Sequence, residues 1–368
     1  MEEIGIKKLV IIFLSIICLT ACEKYEQEDF GNNYDPDKDA QIFSSERNTV
    51  YTENGFYTIA DLERIEFIDR ESGKQVPLCA KPDCTHEKES CNAYFRMLLA
   101  IQIYDKMLYV VAAGSEESTM SLYRLSMDGS EREEVKKLYA TEETDTEGCS
   151  LSFVIHRGYG YMVTNWMQKD RRERTQALYR ISLDRDEEKE IIYEYKGYVP
   201  LLYIIQGEKN RLYVTADRYL DKDLKEHETS SFYFDILKGT TTELPVPNGY
   251  GLIGEKNGSL YYYRSDEKIV YRMNEDGTGQ NGLYEWEYSD MLICRDSNYL
   301  YLNNMVAVYE NDLPETELKV MVIDYEGNVV RELADMQERG LVWSNGEQIL
   351  LRHNGADGAS YELLDVKR

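Results

Sequence analysis

The stretch "IQIYDKMLYVVAAGSEESTMSLYRLSMDGSEREEVKKLY" (Ile101–Tyr139) contains four short apolar runs separated by polar residues. One run is centred on an aromatic residue, and the next alternates apolar and polar side chains, which is the period of a half-buried β-strand. The Asp, Gly and Ser residues between the runs favour turns. The stretch therefore predicts a meander of four antiparallel strands.

The same pattern recurs along the chain. The residue at the centre of the aromatic run has seven equivalent positions: Tyr57, Tyr109, Tyr161, Tyr213, Tyr261, Tyr301 and Leu350. They are spaced by 52, 52, 52, 48, 40 and 49 residues. Four-stranded units at this spacing are typical of β-propeller blades, because one meander has two faces to bury and stacking around an axis buries both. The sequence predicts an all-β fold, a β-propeller of seven blades, with six blades plus an extra hairpin as the alternative.

The composition also favours strands. The chain has 31 tyrosines and only seven prolines, and aromatic residues suit a half-buried pleated surface. The strongest helical candidate, "VRELADMQERG" (Val330–Gly340), is short. The last unit ends in "YELLDVKR" (Tyr361–Arg368) without a fourth strand. We expect "AQIFSS" (Ala40–Ser45) to supply that strand and close the ring.

The N-terminal segment has the form of a secretion signal. Lys7 and Lys8 precede an apolar run of eleven residues, Leu9–Leu19, which is too short to span a bilayer as a helix. The run ends in "LTAC", which resembles the lipobox of bacterial lipoproteins and makes Cys22 the expected lipidation site. We therefore predict a signal peptide at residues 1–21, an acidic tether at 22–46 and a single propeller domain at 47–368. The lipid would hold the protein on the outer face of the cell membrane.

The net charge of −26 limits the partners of the protein. An acidic surface repels phosphate backbones, so nucleic acid is not an expected partner. We expect a monomer that meets the membrane through its N-terminal lipid and binds a protein, peptide or glycan.

A Cys/His-rich insertion, "LCAKPDCTHEKESCNAYF" (Leu78–Phe95), is predicted to link the first blade to the second. Its Lys-Pro-Asp-Cys sequence has turn chemistry that would bring Cys79 back towards Cys84. With His86 and Cys91 these residues form a Cys₃His set, which is typical of a closed structural zinc site.

A disulfide is the rival interpretation, because export favours oxidation. Five cysteines follow Cys22, namely Cys79, Cys84, Cys91, Cys149 and Cys294, and an odd number cannot all pair within one chain. Zinc, a disulfide and free thiols all remain open, and the first two imply a structural role.

Ten residues of this insertion carry a resemblance to a known family: Leu78, Cys79, Lys81, Pro82, Cys84, His86, Cys91, Asn92, Ala93 and Tyr94. From Val50 to Arg368 the chain resembles lipoproteins of Gram-positive anaerobes that carry a β-propeller domain. The blades of that family resemble TolB-like and low-density-lipoprotein-receptor propellers. The resemblance implies a propeller fold and a membrane-anchored location, and it implies no activity.

One loop stands out in this acidic chain. "NWMQKDRRERTQ" (Asn165–Gln176) is predicted to join the second and third strands of a blade. Its Trp166, Lys169, Arg171, Arg172 and Arg174 could form a ligand-binding rim that stacks on a glycan or clamps an anion. A solvated hairpin is the plainer interpretation.

No nucleophile-elbow, zincin or P-loop motif occurs in the sequence. We therefore predict a non-enzymatic binding or scaffold propeller that recognises an envelope protein, a peptide or a glycan. The alternative is an extracytoplasmic carbohydrate-active hydrolase or lyase that uses acidic residues near the central channel, although fold alone does not decide function.

Overall fold

The computed structural model describes residues 48–116, 119–140, 146–168, 172–183, 188–264, 266–287, 292–304, 318–336, 339–355 and 358–367. These residues belong to one compact unit, Asp35–Arg368. Among the described residues, the 26 regular elements are all β-strands, which confirms the all-β prediction. The predicted signal peptide, Cys22, the tether and the closing strand Ala40–Ser45 lie outside the described residues. Within the described ranges, no helix has the length and apolar character needed to cross a membrane.

The strands form successive antiparallel meanders. The first two consist of β1 (Thr49–Thr52), β2 (Gly55–Ala60), β3 (Arg64–Asp69) and β4 (Gln75–Pro77), then β5 (Leu98–Tyr104), β6 (Met107–Ala113), β7 (Thr119–Ser126) and β8 (Arg132–Ala140). The next two consist of β9 (Thr146–His156), β10 (Tyr159–Gln168), β11 (Glu173–Ser182), β12 (Glu190–Glu208), β13 (Arg211–Tyr219), β14 (His227–Asp235) and β15 (Thr240–Glu243). The last three consist of β16 (Gly251–Lys256), β17 (Ser259–Arg264), β18 (Ile269–Asn274), β19 (Asn281–Glu285), β20 (Leu292–Arg295), β21 (Tyr299–Asn303), β22 (Val320–Asp324), β23 (Val329–Leu333), β24 (Arg339–Ser344), β25 (Gln348–Gly355) and β26 (Gly358–Asp365).

Strand β12 belongs to two meanders. Its first half pairs with β11 and its second half with β13, and Tyr198 has a partner on each side, Glu173 and Tyr219. The third and fourth meanders therefore merge into one seven-stranded sheet. The described strands form six hydrogen-bonded sheets, but they form seven meanders when the two halves of this sheet are counted separately.

The repeat found in the sequence corresponds to one position in each meander. The seven aligned residues lie on the second strands, β2, β6, β10, β13, β17, β21 and β25. All seven are buried, Tyr161 and Tyr301 completely. Each meander thus contributes one large side chain from the same strand to the apolar layers between neighbouring sheets.

The sheets are arranged around an axis as a β-propeller. The first strands of neighbouring meanders, such as β1 and β5 or β16 and β20, contact one another and are therefore the inner strands. The first meander also packs on the last, where the Trp343 ring lies 4.6 Å from that of Tyr51 and 5.2 Å from that of Phe56. Side-chain packing closes the ring at this interface.

Buried glutamines tie inner strands of neighbouring meanders together. Gln102 on β5 accepts a hydrogen bond from the backbone N–H of Ile155 (2.5 Å) and donates to the Phe153 carbonyl (3.5 Å). Gln206 on β12 makes the same pair of bonds to the backbone of Glu255, at 3.1 and 3.4 Å. These side chains therefore satisfy buried backbone groups of the next meander.

Candidate functional site

The Cys/His-rich insertion lies where the sequence predicts, in the connection between β4 and β5, which we call the cysteine segment (residues 78–97). It is held first by the β2–β3 turn. Phe95 donates its backbone N–H to the Glu63 carbonyl (2.7 Å), and the Leu98 N–H donates to the Leu62 carbonyl (2.6 Å). The second half of the segment is thus fixed along the edge of the first meander.

The β7–β8 turn of the second meander holds the segment from the other side. The Asn92 side chain donates to the carbonyls of Gly129 and Ser130, both at 2.9 Å. Gly129 has a φ of +70°, and a Cβ there would lie 2.4 Å from the Leu78 carbonyl oxygen. Only glycine allows this close approach. The segment therefore contacts a turn between second and third strands in the first meander and a turn between third and fourth strands in the second.

The four predicted ligands converge. One donor atom from each of Cys79, Cys84, His86 and Cys91 lies within 4.8 Å of all the others. The His86 Nδ1 is 3.4 Å from the Cys91 Sγ. The predicted turn is present, since the Cys84 N–H donates to the Lys81 carbonyl (3.4 Å). These three described thiols form no disulfide.

Burial and hydrogen bonding shift the pKa values of the Cys79 and Cys91 thiols in opposite directions. Burial raises the pKa of Cys91 to about 11. Burial also opposes ionisation of Cys79, but the backbone N–H groups of Lys81 and Asn92 and the neighbouring thiols of Cys91 and Cys84 together lower the pKa of that thiol. The set offers three sulfur donors and one imidazole nitrogen and leaves no ligand position for substrate, so it suits a structural metal ion better than a catalytic one.

The remaining cysteines lie elsewhere. Cys294 is buried in the apolar core that the last two sheets share. Cys149 belongs to β9, opposite Trp166 on β10, and its side chain lies outside the described part. The structure therefore groups three cysteines with His86 and places Cys294 in a separate core.

The basic loop has the predicted position, as the hairpin between β10 and β11. Lys169 and Arg171 lie outside the described residues, as does the side chain of Trp166. Arg172 is exposed and Arg174 is half-buried. In the same hairpin Glu173 forms an ion pair with Lys196 on β12, at 2.9 Å.

Sequence reasoning missed an apolar surface beside this hairpin. Val199 and Leu220 are 44% and 49% exposed. Their neighbours Tyr198 and Tyr219 are cross-strand partners, and Tyr198 also pairs with Glu173 of the basic hairpin. We call Tyr198, Val199, Tyr219 and Leu220 the junction patch, because it lies where the third meander passes into the fourth.

A second apolar pair flanks the cysteine segment. Leu62 is 53% exposed and Met97 is 37% exposed. Loops between second and third strands, and links between meanders, leave antiparallel strands at the same end, which we call the crossover end. Of the seven exposed large apolar side chains among the described residues, four lie there: Leu62, Met97, Val199 and Leu220.

Solved structures share the fold. A prolyl endopeptidase matches with a TM-score of 0.56 and 13% identity, over 88% of this chain and 49% of the endopeptidase. A putative TolB from Agrobacterium tumefaciens matches with a TM-score of 0.41 and 14% identity, over 71% of this chain and 85% of that protein. A chain of a nidogen/laminin complex matches with a TM-score of 0.41 and 11% identity, over 80% and 92%.

At these identities the similarity concerns the fold alone, and for the endopeptidase this chain spans about half of the matched protein. No protein-family model matches the chain, and no curated protein matches it.

Proposed function

We propose that this protein is a non-enzymatic binding propeller, anchored outside the cytoplasmic membrane through lipidated Cys22, that docks a protein or peptide at its crossover end. The observation that carries the proposal is the conformation of two exposed apolar residues there. Leu62 has a φ of 60° and Val199 a φ of 48°.

Positive φ values are costly for such side chains. The left-handed conformation costs an L-residue roughly 1–2 kcal/mol, and a β-branched residue adopts it rarely. At the Leu62 turn, where Asp61 also has a positive φ, Asn or Gly would fit without that cost. A strained backbone at a residue whose apolar side chain is exposed to solvent supports a role for that residue in binding.

The chemistry of the junction patch favours a protein or peptide over a glycan. Val199 and Leu220 offer exposed aliphatic surface and follow Tyr198 and Tyr219 in the chain. Exposed apolar surface of this kind marks protein interaction sites. The Arg172 and Arg174 hairpin borders the patch, so a partner with an acidic segment next to apolar side chains would suit it. Together the patch and the hairpin form an apolar centre with a charged edge.

The contacts of two glutamines on the inner strands support a binding function over a catalytic one. Gln102 and Gln206 bind backbone groups of the neighbouring meanders. Polar groups used in this way hold the ring together, whereas a propeller hydrolase would direct acids and bases into its channel. Gln102 and Gln206 thus have a structural role in the ring, as a scaffold requires.

Site-specific photo-crosslinking in intact cells tests the binding surface. A photoreactive residue at Val199 or at Leu220 should give the same discrete adduct, and protease should degrade the captured partner. Val329 is the matched control, since it is 54% exposed but begins β23, next to a turn between third and fourth strands at the opposite end. Adducts of equal yield from Val329, no adduct from either patch position, or a protease-resistant adduct would contradict the proposal.

The anchor is tested separately. Cys22→Ser removes the thiol that would carry the lipid, so we expect the variant to move from the membrane fraction to the soluble extracytoplasmic fraction. Fractionation and metabolic labelling with a fatty acid measure this. Cys18→Ser, within the predicted signal peptide, is the control and should leave the label in place. A labelled, membrane-bound Cys22→Ser protein would be incompatible with the assignment.

A further inference from the structure

We infer that Cys79, Cys84, His86 and Cys91 bind one Zn²⁺ ion, and that this closed site fastens the first two meanders of the propeller to each other. The inference concerns a metal site apart from the docking surface, and it does not depend on the proposed function.

The donor geometry fits a tetrahedral ion. Zinc bonds of about 2.3 Å to sulfur and about 2.0–2.1 Å to nitrogen place neighbouring sulfurs about 3.8 Å apart and a sulfur and nitrogen about 3.5 Å apart. The His86 Nδ1 and the Cys91 Sγ are 3.4 Å apart, and all four donor atoms lie within 4.8 Å of one another. Little movement is needed for an ion to take the centre.

The participation of His86 separates a metal site from a disulfide. A disulfide joins two sulfurs and has no use for an imidazole, and one of the three thiols would remain beside it. His86 adopts a φ of 60°, and in that conformation its ring nitrogen lies against the Cys91 sulfur. Four converging donors of the Cys₃His type match the coordination number of structural zinc.

Charge around the site is balanced by side chains. Zn²⁺ with three thiolates and a neutral imidazole carries a net charge of −1, and binding releases three thiol protons to solvent without electron transfer. The Lys81 Nζ donates to the Ser90 carbonyl. Arg132 donates to the carbonyls of Cys91 (3.0 Å) and Glu89 (2.7 Å). Both cations are therefore held beside the ligand loop.

The site lies in the segment that joins the first meander to the second. Cys79 lies two residues after the end of β4 in the first meander, while Cys91 is fully buried in the core that the first two meanders share. A bound ion would close the loop from 79 to 91 and keep Asn92 and Phe95 seated against the second meander. The role that follows is structural.

Metal analysis with thiol counting on the full chain, purified in detergent without added reductant, tests the inference. We expect one zinc per chain, with Cys79, Cys84 and Cys91 reactive towards a thiol reagent only after chelation or denaturation. A disulfide among these cysteines without zinc would overturn it, and so would reduced thiols without zinc after incubation with Zn²⁺.

Substitutions of the metal-ligating residues provide a second test, with zinc affinity as the measurement. His86→Ala should lower zinc affinity at least tenfold, whereas His86→Cys should retain one zinc in a Cys₄ site. Cys294→Ala is the control and should keep full occupancy. Co²⁺ substitution reports the geometry, since a tetrahedral thiolate site gives intense visible d–d bands and a thiolate-to-cobalt charge-transfer band. Full zinc affinity in His86→Ala, or its loss in Cys294→Ala alone, would contradict the assignment.

Discussion

Asp296→Ala is expected to lower the free energy of unfolding by about 4 kcal/mol. Asp296 is 1% exposed, and Tyr301 beside it is fully buried. One carboxylate oxygen accepts the backbone N–H groups of Asn298 (2.7 Å) and Tyr299 (2.8 Å). The other accepts the Tyr301 hydroxyl (2.5 Å). Alanine would leave all three donors without this acceptor. Tyr299 and the Tyr301 hydroxyl are buried, whereas Asn298 is exposed. A buried donor left unsatisfied costs the full desolvation penalty.

Urea unfolding, followed by tyrosine and tryptophan fluorescence, measures the loss. Asp324→Ala is the matched control, because Asp324 also accepts two turn amides, from Glu326 and Asn328, but is half-buried and near solvent. Its effect should be much smaller. If both variants lost the same stability, the buried hydroxyl contact of Asp296 would not be the cause.

The repeat could be predicted because each meander places the same kind of residue at the same place. A large side chain on the second strand must fill the layer between sheets, so Tyr57, Tyr161 and Tyr301 recur in a readable pattern. The merged strand β12 could not be predicted in this way. Pro200 ends a stretch that reads as an outer strand. In the structure β12 runs through it, with a φ of 48° at Val199 and a register shift between Tyr198 and Leu201.

In one segment, sheet pairing outweighs the helical pattern of the local sequence. The strongest helical candidate begins with Val330–Leu333, which lies in strand β23. Val320 to Ile323 on β22 already present hydrogen-bonding backbone at the edge of that sheet, and pairing with it satisfies the segment. Tertiary context of this kind overrides weak helical propensity.

The four candidate metal ligands could be predicted from residue type and spacing, but the contacts that hold their segment in place could not. Cys79, Cys84, His86 and Cys91 are visible in the sequence, whereas the β7–β8 turn that holds them lies about forty residues further on. The junction patch was missed for a similar reason. Exposure of Val199 and Leu220 depends on how two connections meet in space, and neither connection has an apolar pattern of its own.

Arg132→Ala is expected to lower the free energy of unfolding by about 3 kcal/mol, because one guanidinium holds the second half of the cysteine segment. Arg132 on β8 donates to the carbonyls of Cys91 (3.0 Å), Tyr94 (2.7 Å) and Glu89 (2.7 Å). Its charged group also lies 4.7 Å from the centre of the Phe95 ring. Hydrogen bonds from a charged donor are worth more than neutral ones, and the cation–π contact adds to them.

Arg132→Lys should recover less than half of the loss. An ammonium retains the charge, but it lacks the planar fork that reaches several carbonyls at once. Lys137→Ala is the control on the same strand, since its ion pair with Glu116 (2.7 Å) joins two exposed side chains. We expect less than about 1 kcal/mol there.

Hydrogen exchange identifies where the Arg132→Ala loss arises. The amides of Cys91, Tyr94 and Phe95 should exchange faster in the variant, while those of Tyr301 and its neighbours in the last sheets should keep their protection. Because the same guanidinium holds the backbone at a zinc ligand, the variant should also release zinc faster to a chelator. Faster exchange spread evenly over all sheets, with unchanged zinc release, would show that Arg132 stabilises the propeller globally and does not hold the cysteine segment.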